Sequence, residues 1–204
     1  MAIYDADSVK KEVSILYHIA GKGTQALSEL ELGEAVNFFG PLGNHFPHDS
    51  KKRTWIVAGG IGIAPFRLWA KKQSFEAKNT PRSFFGFRSS AQAGVLSEFE
   101  DMPGDVVACV QHGEGFDHQG LVTEALQEHL AKDRPDQIYC CGPDPMMKAV
   151  AEICRNQNIP CYVSLEAKMA CGMGVCLSCV SDFPIETTFE QSLVCKHGPV
   201  FRSK

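Results

Sequence analysis

Apolar positions along the chain change rhythm twice, dividing it into three blocks. In residues 1–50, the apolar runs "SILYHIA" and "AVNFFG" are separated by "GKGT" and closed by "GPLGNHF", which predicts strands of a partial β structure. Residues 51–159 alternate short buried-strand runs with amphipathic stretches. "TWIVAGG" leads into "APFRLWAKKQ", "RSFFGF" follows, "DVVACV" precedes "GLVTEALQEHL", and "DQIYCCG" precedes "DPMMKAVAEICRNQ". Alternating βα units predict a Rossmann-like parallel sheet that takes its ligands at the carboxyl ends of the strands. Residues 160–204 are cysteine-rich and too short to bury much core of their own, so a small domain dependent on its metal is expected.

Composition narrows the function class. The chain has 204 residues, 44% of them hydrophobic and 22% charged, as in an ordinary globular protein. A net charge of −4 and no long run of Lys or Arg predict no nucleic-acid surface. No apolar segment approaches the ~18 residues that cross a bilayer, and the start has no basic head with an apolar stretch, so no membrane association and a cytoplasmic location are expected. Nine cysteines is an odd number. Without a secretion signal, that count favours metal or redox chemistry over a complete disulfide framework.

The cysteines carry the most specific signal. Cys171, Cys176, Cys179 and Cys195 are separated by four, two and fifteen residues, the C-x4-C-x2-C plus distant C spacing of a plant-type 2Fe-2S site. Gly172 and Gly174 permit the tight backbone curl that brings N–H groups towards a cluster. A four-cysteine zinc site is the alternative, but zinc ribbons bring a second close C-x-x-C pair and none is present. Cys109, Cys140, Cys154 and Cys161 fall in apolar runs and are assigned to the core. Cys141 differs because it precedes Gly142 and Pro143 at a strand end.

Two glycine-bearing strand ends predict a cleft. In "IVAGGIGIAPF" the glycines Gly59, Gly60 and Gly62 follow a strand and open a helix, where bare N–H groups meet a pyrophosphate. Pro65 suits the first helical turn. The run lacks the third glycine of the usual fingerprint, so a plain packing loop is the alternative. "CCGPDPMM" supplies the second strand end, which taken alone is a turn.

These motifs resemble known proteins. "GGIGIAP" with "CGPDPMM" resembles the pyridine-nucleotide domain of the ferredoxin-reductase superfamily. "SLEAKMACGMGVCLSCV" with "VCKHGPVF" resembles the electron-transfer subunits of dihydroorotate dehydrogenase B. "LYHIAGKGTQALSEL" and "GPLGNHF" resemble the second half of that family's flavin barrel. The resemblance implies a partial FAD-binding β-barrel in residues 1–50, an NAD-binding Rossmann-like domain in 51–159 and a 2Fe-2S domain in 160–204. It also implies that about half the barrel lies outside the chain, because the family's Arg-Pro-x-Ser flavin motif would end at Ala2. Cys171, Cys176, Cys179 and Cys195 would ligate the cluster. Leu16, Tyr17 and His18, with Gly23 and Thr24, would line FAD. Gly59, Gly60 and Gly62, with Cys141, Gly142 and Pro143, would flank NAD. Without the resemblance, Leu16 and Tyr17 read as strand core, His18 as a satisfied strand histidine, and Gly23-Thr24 as a hairpin turn.

The function implied is an oxidoreductase subunit. It would take electrons from an FMN-containing catalytic partner that oxidises dihydroorotate in pyrimidine synthesis and deliver them to NAD⁺, in a heterotetramer of two catalytic and two electron-transfer subunits. No residue of this chain is expected to be catalytic. Met169, Met173, Val175 and Leu177 are expected to form part of the partner's docking face. Arg88, Ser89 and Ser90 follow the second strand, where a 2′-phosphate would be met, although a solvated turn is the stronger reading from the residues and NAD rests on the resemblance. The alternatives are the flavin/iron–sulfur subunit of an NADH-dependent ferredoxin:NADP or sulfide dehydrogenase complex, some of which have aspartate in place of the first cysteine, and a non-catalytic metal-stabilised binding module.

Overall fold

The computed structural model describes residues 1–73, 75 and 79–204. Its centre is a seven-stranded sheet in the order β6-β5-β4-β3-β7-β8-β9. The strands are β3 (Thr54–Gly59), β4 (Arg82–Ser89), β5 (Asp105–His112), β6 (His118–Gln119), β7 (Gln137–Cys141), β8 (Cys161–Ser164) and β9 (Val200–Arg202). All neighbours pair parallel except β8 and β9, which are antiparallel.

β3 is central and every residue in it is buried, which is why "TWIVAG" is almost continuously apolar rather than alternating. Its side chains still obey the two-residue period. Trp55 and Val57 join the core on one face with Leu126 of α4 (Val122–Leu130) and with Met147 and Val150 of α5 (Asp144–Asn156). Ile56 and Ala58 join the other face with Phe66 and Trp69 of α2 (Ala64–Lys71) and Ala93 of α3 (Ser90–Ala93). Chain order then fixes where a ligand fits. The chain leaves β3 for β4 on one side, while β7 lies on the other, so the crevice of an open parallel sheet falls between the carboxyl ends of β3 and β7.

The third block does not build a core of its own. β8 and β9 extend the sheet, and Phe183, Ile185, Leu193, Val194 and Phe201 share one apolar cluster with α5. The tail draws its core from the nucleotide sheet, in keeping with the little core expected of so short a block. Cys109, Cys140, Cys154 and Cys161 are buried as expected. Burial pushes Cys109 up to about 12, so its thiol stays neutral.

The first block forms an antiparallel ribbon of β1 (Ala2–Asp7) and β2 (Glu12–Leu16), followed by α1 (Lys22–Ser28). The strand expected over "AVNFFG" does not form. Residues 35–40 are irregular, and Phe38 is 77% exposed. Apolar, aromatic composition favours a strand only where a ladder partner is at hand, and among the described residues β1 and β2 pair only with each other.

Charges fasten this ribbon to the nucleotide domain. The Asp5 carboxylate accepts from Arg67 at 2.5 Å and from Lys71 at 2.6 Å, and Arg67 also donates twice to Asp101, at 2.9 and 3.1 Å. The Arg67 guanidinium lies 4.7 Å from the centre of the Tyr4 ring. Lys71, and after it Arg67, holds the Asp5 carboxyl below its ordinary value of 3.8. A lowered pKa contributes stability at neutral pH that is lost as the pH falls through it. Arg67→Met is thus expected to lower unfolding stability by about 1–2 kcal/mol at pH 7, with the difference from wild type narrowing below the ordinary Asp value. Urea midpoints at neutral and acid pH measure it.

Candidate functional site

The sheet places its predicted site as the topology requires. A cleft of about 460 Å³ opens at the carboxyl ends of β3 and β7, and Gly59, Gly60, Gly62, Cys141, Gly142 and Pro143 line it together with Leu16, Tyr17 and His18. Residues expected from two separate motifs, one for flavin and one for nicotinamide nucleotide, therefore face one space. Its size and its mixed apolar and backbone lining suit the ring end of a dinucleotide.

Gly62 is the tightest point of this wall. A Cβ there would stand 2.3 Å from the Cys141 carbonyl oxygen and 2.8 Å from the Gly142 nitrogen, so only glycine lets the turn lie against the end of β7. Cys141 is buried, and its thiol is pushed up to about 12 by desolvation, with the Glu166 carboxylate acting in the same direction. It presents a neutral S–H rather than a thiolate at physiological pH.

Gly23 and Thr24 do not line the cleft. They lie in the first turn of α1 rather than in a hairpin turn. The Thr24 hydroxyl accepts the N–H groups of Ala20 at 2.9 Å and Gly21 at 3.2 Å and donates to the Gly21 carbonyl at 3.0 Å. Its polar capacity is spent closing the helix start.

The cysteine loop forms a second site. The Cys171 sulfur accepts backbone N–H groups from Met173, Val175 and Cys176, each at 3.4 Å. These bonds, that from Cys176 foremost, pull its thiol down to about 6, favouring the thiolate form a metal ligand takes. The Cys176 thiol acts in the same direction. Cys179 and Cys195 form the other pair, with sulfurs 3.2 Å apart in a buried setting. Gly172 and Gly174 adopt φ of +67 and +81 as the curl demands.

The four thiols are thus grouped as two pairs. Two pairs suit a dinuclear centre with two thiolates on each iron. The donor set and the N–H groups aimed at Cys171 fit a 2Fe-2S cluster.

Several residues at these sites were not legible in the sequence. Leu177, between Cys176 and Cys179, has φ +59, a left-handed conformation costing about 1–2 kcal/mol in the short turn between the two thiols. Phe87, Gln92 and Val95 join the sheet-end cleft; Phe87 could have been anticipated, since β4 ends beside β3. A cavity of about 470 Å³ beside the cluster loop is lined by Cys171 and Cys195 with Phe39 and Leu42 of the first block. Glu166, just past β8, lines both this cavity and the sheet-end cleft. The two sites therefore adjoin.

Comparison with known proteins agrees with this layout. A family model described as the iron-sulfur cluster binding domain of dihydroorotate dehydrogenase B matches residues 166–204, and an oxidoreductase NAD-binding domain model matches residues 56–152. A solved structure of an NADH-dependent reduced ferredoxin-NADP oxidoreductase superposes with a TM-score of 0.83 at 27% identity, covering 98% of this chain and 70% of that one. The electron transfer subunit of dihydroorotate dehydrogenase B (NAD(+)) from Caldanaerobacter subterraneus subsp. tengcongensis is 36% identical over 195 residues, which is 96% of this chain and 75% of that protein. The same subunit from Clostridium acetobutylicum is 37% identical over 205 residues, 98% of this chain and 76% of that one. Identity at this level, spread across all three blocks, shows that the chain belongs to the family of dihydroorotate dehydrogenase B (NAD(+)) electron transfer subunits.

Proposed function

We propose that this chain carries electrons between a dihydroorotate-oxidising partner subunit and NAD⁺, with residues 1–50 contributing to a flavin site, 51–159 holding the nicotinamide nucleotide and 160–204 holding a 2Fe-2S cluster. The observation that carries this reading is the shared wall at Glu166 between the paired cysteines and the sheet-end cleft. When bound, a flavin supplies the conversion between the hydride of a nicotinamide and the single electrons of an iron–sulfur centre.

The chain's own residues bind and orient. Cys171, Cys176, Cys179 and Cys195 would hold the cluster, Leu16, Tyr17 and His18 would form the flavin shelf, and Gly59, Gly60, Gly62, Cys141, Gly142 and Pro143 would flank the nucleotide. The glycine turn keeps its backbone close to the end of β7, leaving bare N–H groups for phosphate oxygens. The neutral Cys141 thiol adds no negative charge beside a hydride donor or acceptor. Iron and acid-labile sulfide in equal amounts, with flavin and cluster absorption in the purified protein, are the expected result; a colourless protein with stoichiometric zinc would overturn the reading.

The partner is a catalytic subunit containing FMN, joined in a heterotetramer of two chains of each kind. Met169, Met173, Val175 and Leu177 are all exposed around the cysteine loop, where apolar side chains in a short segment favour burial against another protein. Met173→Asp is expected to weaken assembly with the catalytic subunit at least tenfold on a sizing column, while iron content stays unchanged. The similarity to the ferredoxin-NADP oxidoreductase supports a second reading, a subunit of a complex that exchanges electrons between NADH and other carriers. Dihydroorotate-dependent NADH formation separates the two.

A further inference from the structure

We infer that Asn44 is a positioning residue that ties the cluster cradle to residues 39–47 and through them to the nucleotide core, fixing Cys195 relative to the sheet-end cleft; the inference rests on the function proposed above.

The geometry is that of a clamp. The Asn44 amide group donates to the His197 carbonyl at 3.0 Å and to the Val200 carbonyl at 2.8 Å, and its oxygen accepts the Val200 N–H at 2.8 Å. Its backbone N–H donates to the Gly198 carbonyl at 2.6 Å. One residue therefore occupies polar groups of three of the four residues from His197 to Val200. Cys195 sits in the short helix α6 (Val194–His197) directly before them. A helix leaves its last carbonyls unsatisfied, and Asn44 caps that of His197 from another block. Towards Val200 it both donates and accepts, as a neighbouring strand residue would, at the start of β9.

The segment carrying Asn44 is anchored on both sides. Upstream, Leu42 and Phe39 line the cavity beside Cys171 and Cys195. Downstream, Phe46 is buried and stacks on Phe66 and Tyr139 at 4.9 Å, and the Pro47 carbonyl accepts the Tyr139 hydroxyl at 2.9 Å and the Trp69 indole N–H at 3.2 Å. Residues 39–47 thus span from the cysteine loop to the nucleotide core, with Asn44 between the two anchors. Asn44 is itself exposed, so its effect comes from the number and direction of its bonds rather than from apolar burial.

Loosening this tie should act on one step. In the complete complex with its cofactors, Asn44→Ala is expected to leave the rate of flavin bleaching by NADH and the KM for NADH within about twofold of wild type, while electron arrival at the cluster, followed by rapid-freeze electron paramagnetic resonance, slows about tenfold or more. Iron content and the position of the cluster's resonance lines report whether the cradle itself survives. If Asn44→Ala releases iron, Asn44→Asp, which keeps the acceptor for the Val200 N–H, is used in the same experiment. Equal slowing of both steps, no slowing of either, or iron loss from both variants would overturn the inference. A wild-type complex whose cluster is not reduced by NADH would instead overturn the proposed function, and the inference with it.

Discussion

Replacing Cys195 with serine is expected to strip the protein of bound iron to below about a tenth of the wild-type content. The Cys195 sulfur is 3.2 Å from that of Cys179 in a buried setting, and serine supplies neither the soft donor nor a group that ionises readily enough to replace a thiolate. Cys179→Ser should do the same. Cys154→Ser is the contrasting case. Cys154 is equally buried, but on α5 against the sheet core, and its thiol is held neutral, chiefly through its contact with Cys161 and then by burial. Serine there should cost about 1–3 kcal/mol of stability through an imperfectly satisfied hydroxyl and leave the iron content untouched. Iron per chain and urea unfolding on the same preparations separate ligands from core thiols.

Gly62→Ala is expected to raise the KM for NADH tenfold or more without loss of iron. The added Cβ would stand 2.3 Å from the Cys141 carbonyl oxygen and 2.6 Å from its carbon. Those atoms belong to a buried strand end, so no flexible side chain can swing away. The turn must move, carrying the N–H groups of Gly59–Gly62 away from the cleft, and overpacking of this kind costs about 1–3 kcal/mol. The cysteine pairs lie on other elements and should keep their iron. Steady-state kinetics with a dye acceptor, alongside iron analysis, reads both halves of the expectation.

The parts that could be read from the sequence share a physical property: their determinants are local. Strands buried on both faces read as continuous apolar runs, so "TWIVAGG" and "DQIYCCG" announce β3 and β7. The cysteine spacing is set by the geometry of the centre it holds, so it survives without knowledge of the fold. "AVNFFG" has equally strand-like composition, yet whether it pairs depends on neighbours far along the chain, and it stays irregular. The same non-local dependence hid the tail's use of the nucleotide sheet as its core, because Val200–Arg202 reads as a loose end until β8 is placed beside it. Asn44 and Glu166 look like ordinary polar residues in sequence. Their roles arise only when residues 39–47 are laid across the cysteine segment and when two cavities meet at the end of β8. Thr24 is a local case: its hydroxyl is engaged by the backbone of Ala20 and Gly21 at the start of α1.

The central claim is that paired thiolates and the sheet-end cleft form one electron path. It is tested most directly by adding NADH anaerobically to the purified protein with its cofactors and recording the electron paramagnetic resonance of the iron–sulfur centre. The signal of a reduced 2Fe-2S cluster should appear with NADH and vanish when NAD⁺ is added in excess. A cluster that is reduced by dithionite but stays silent with NADH would contradict the claim.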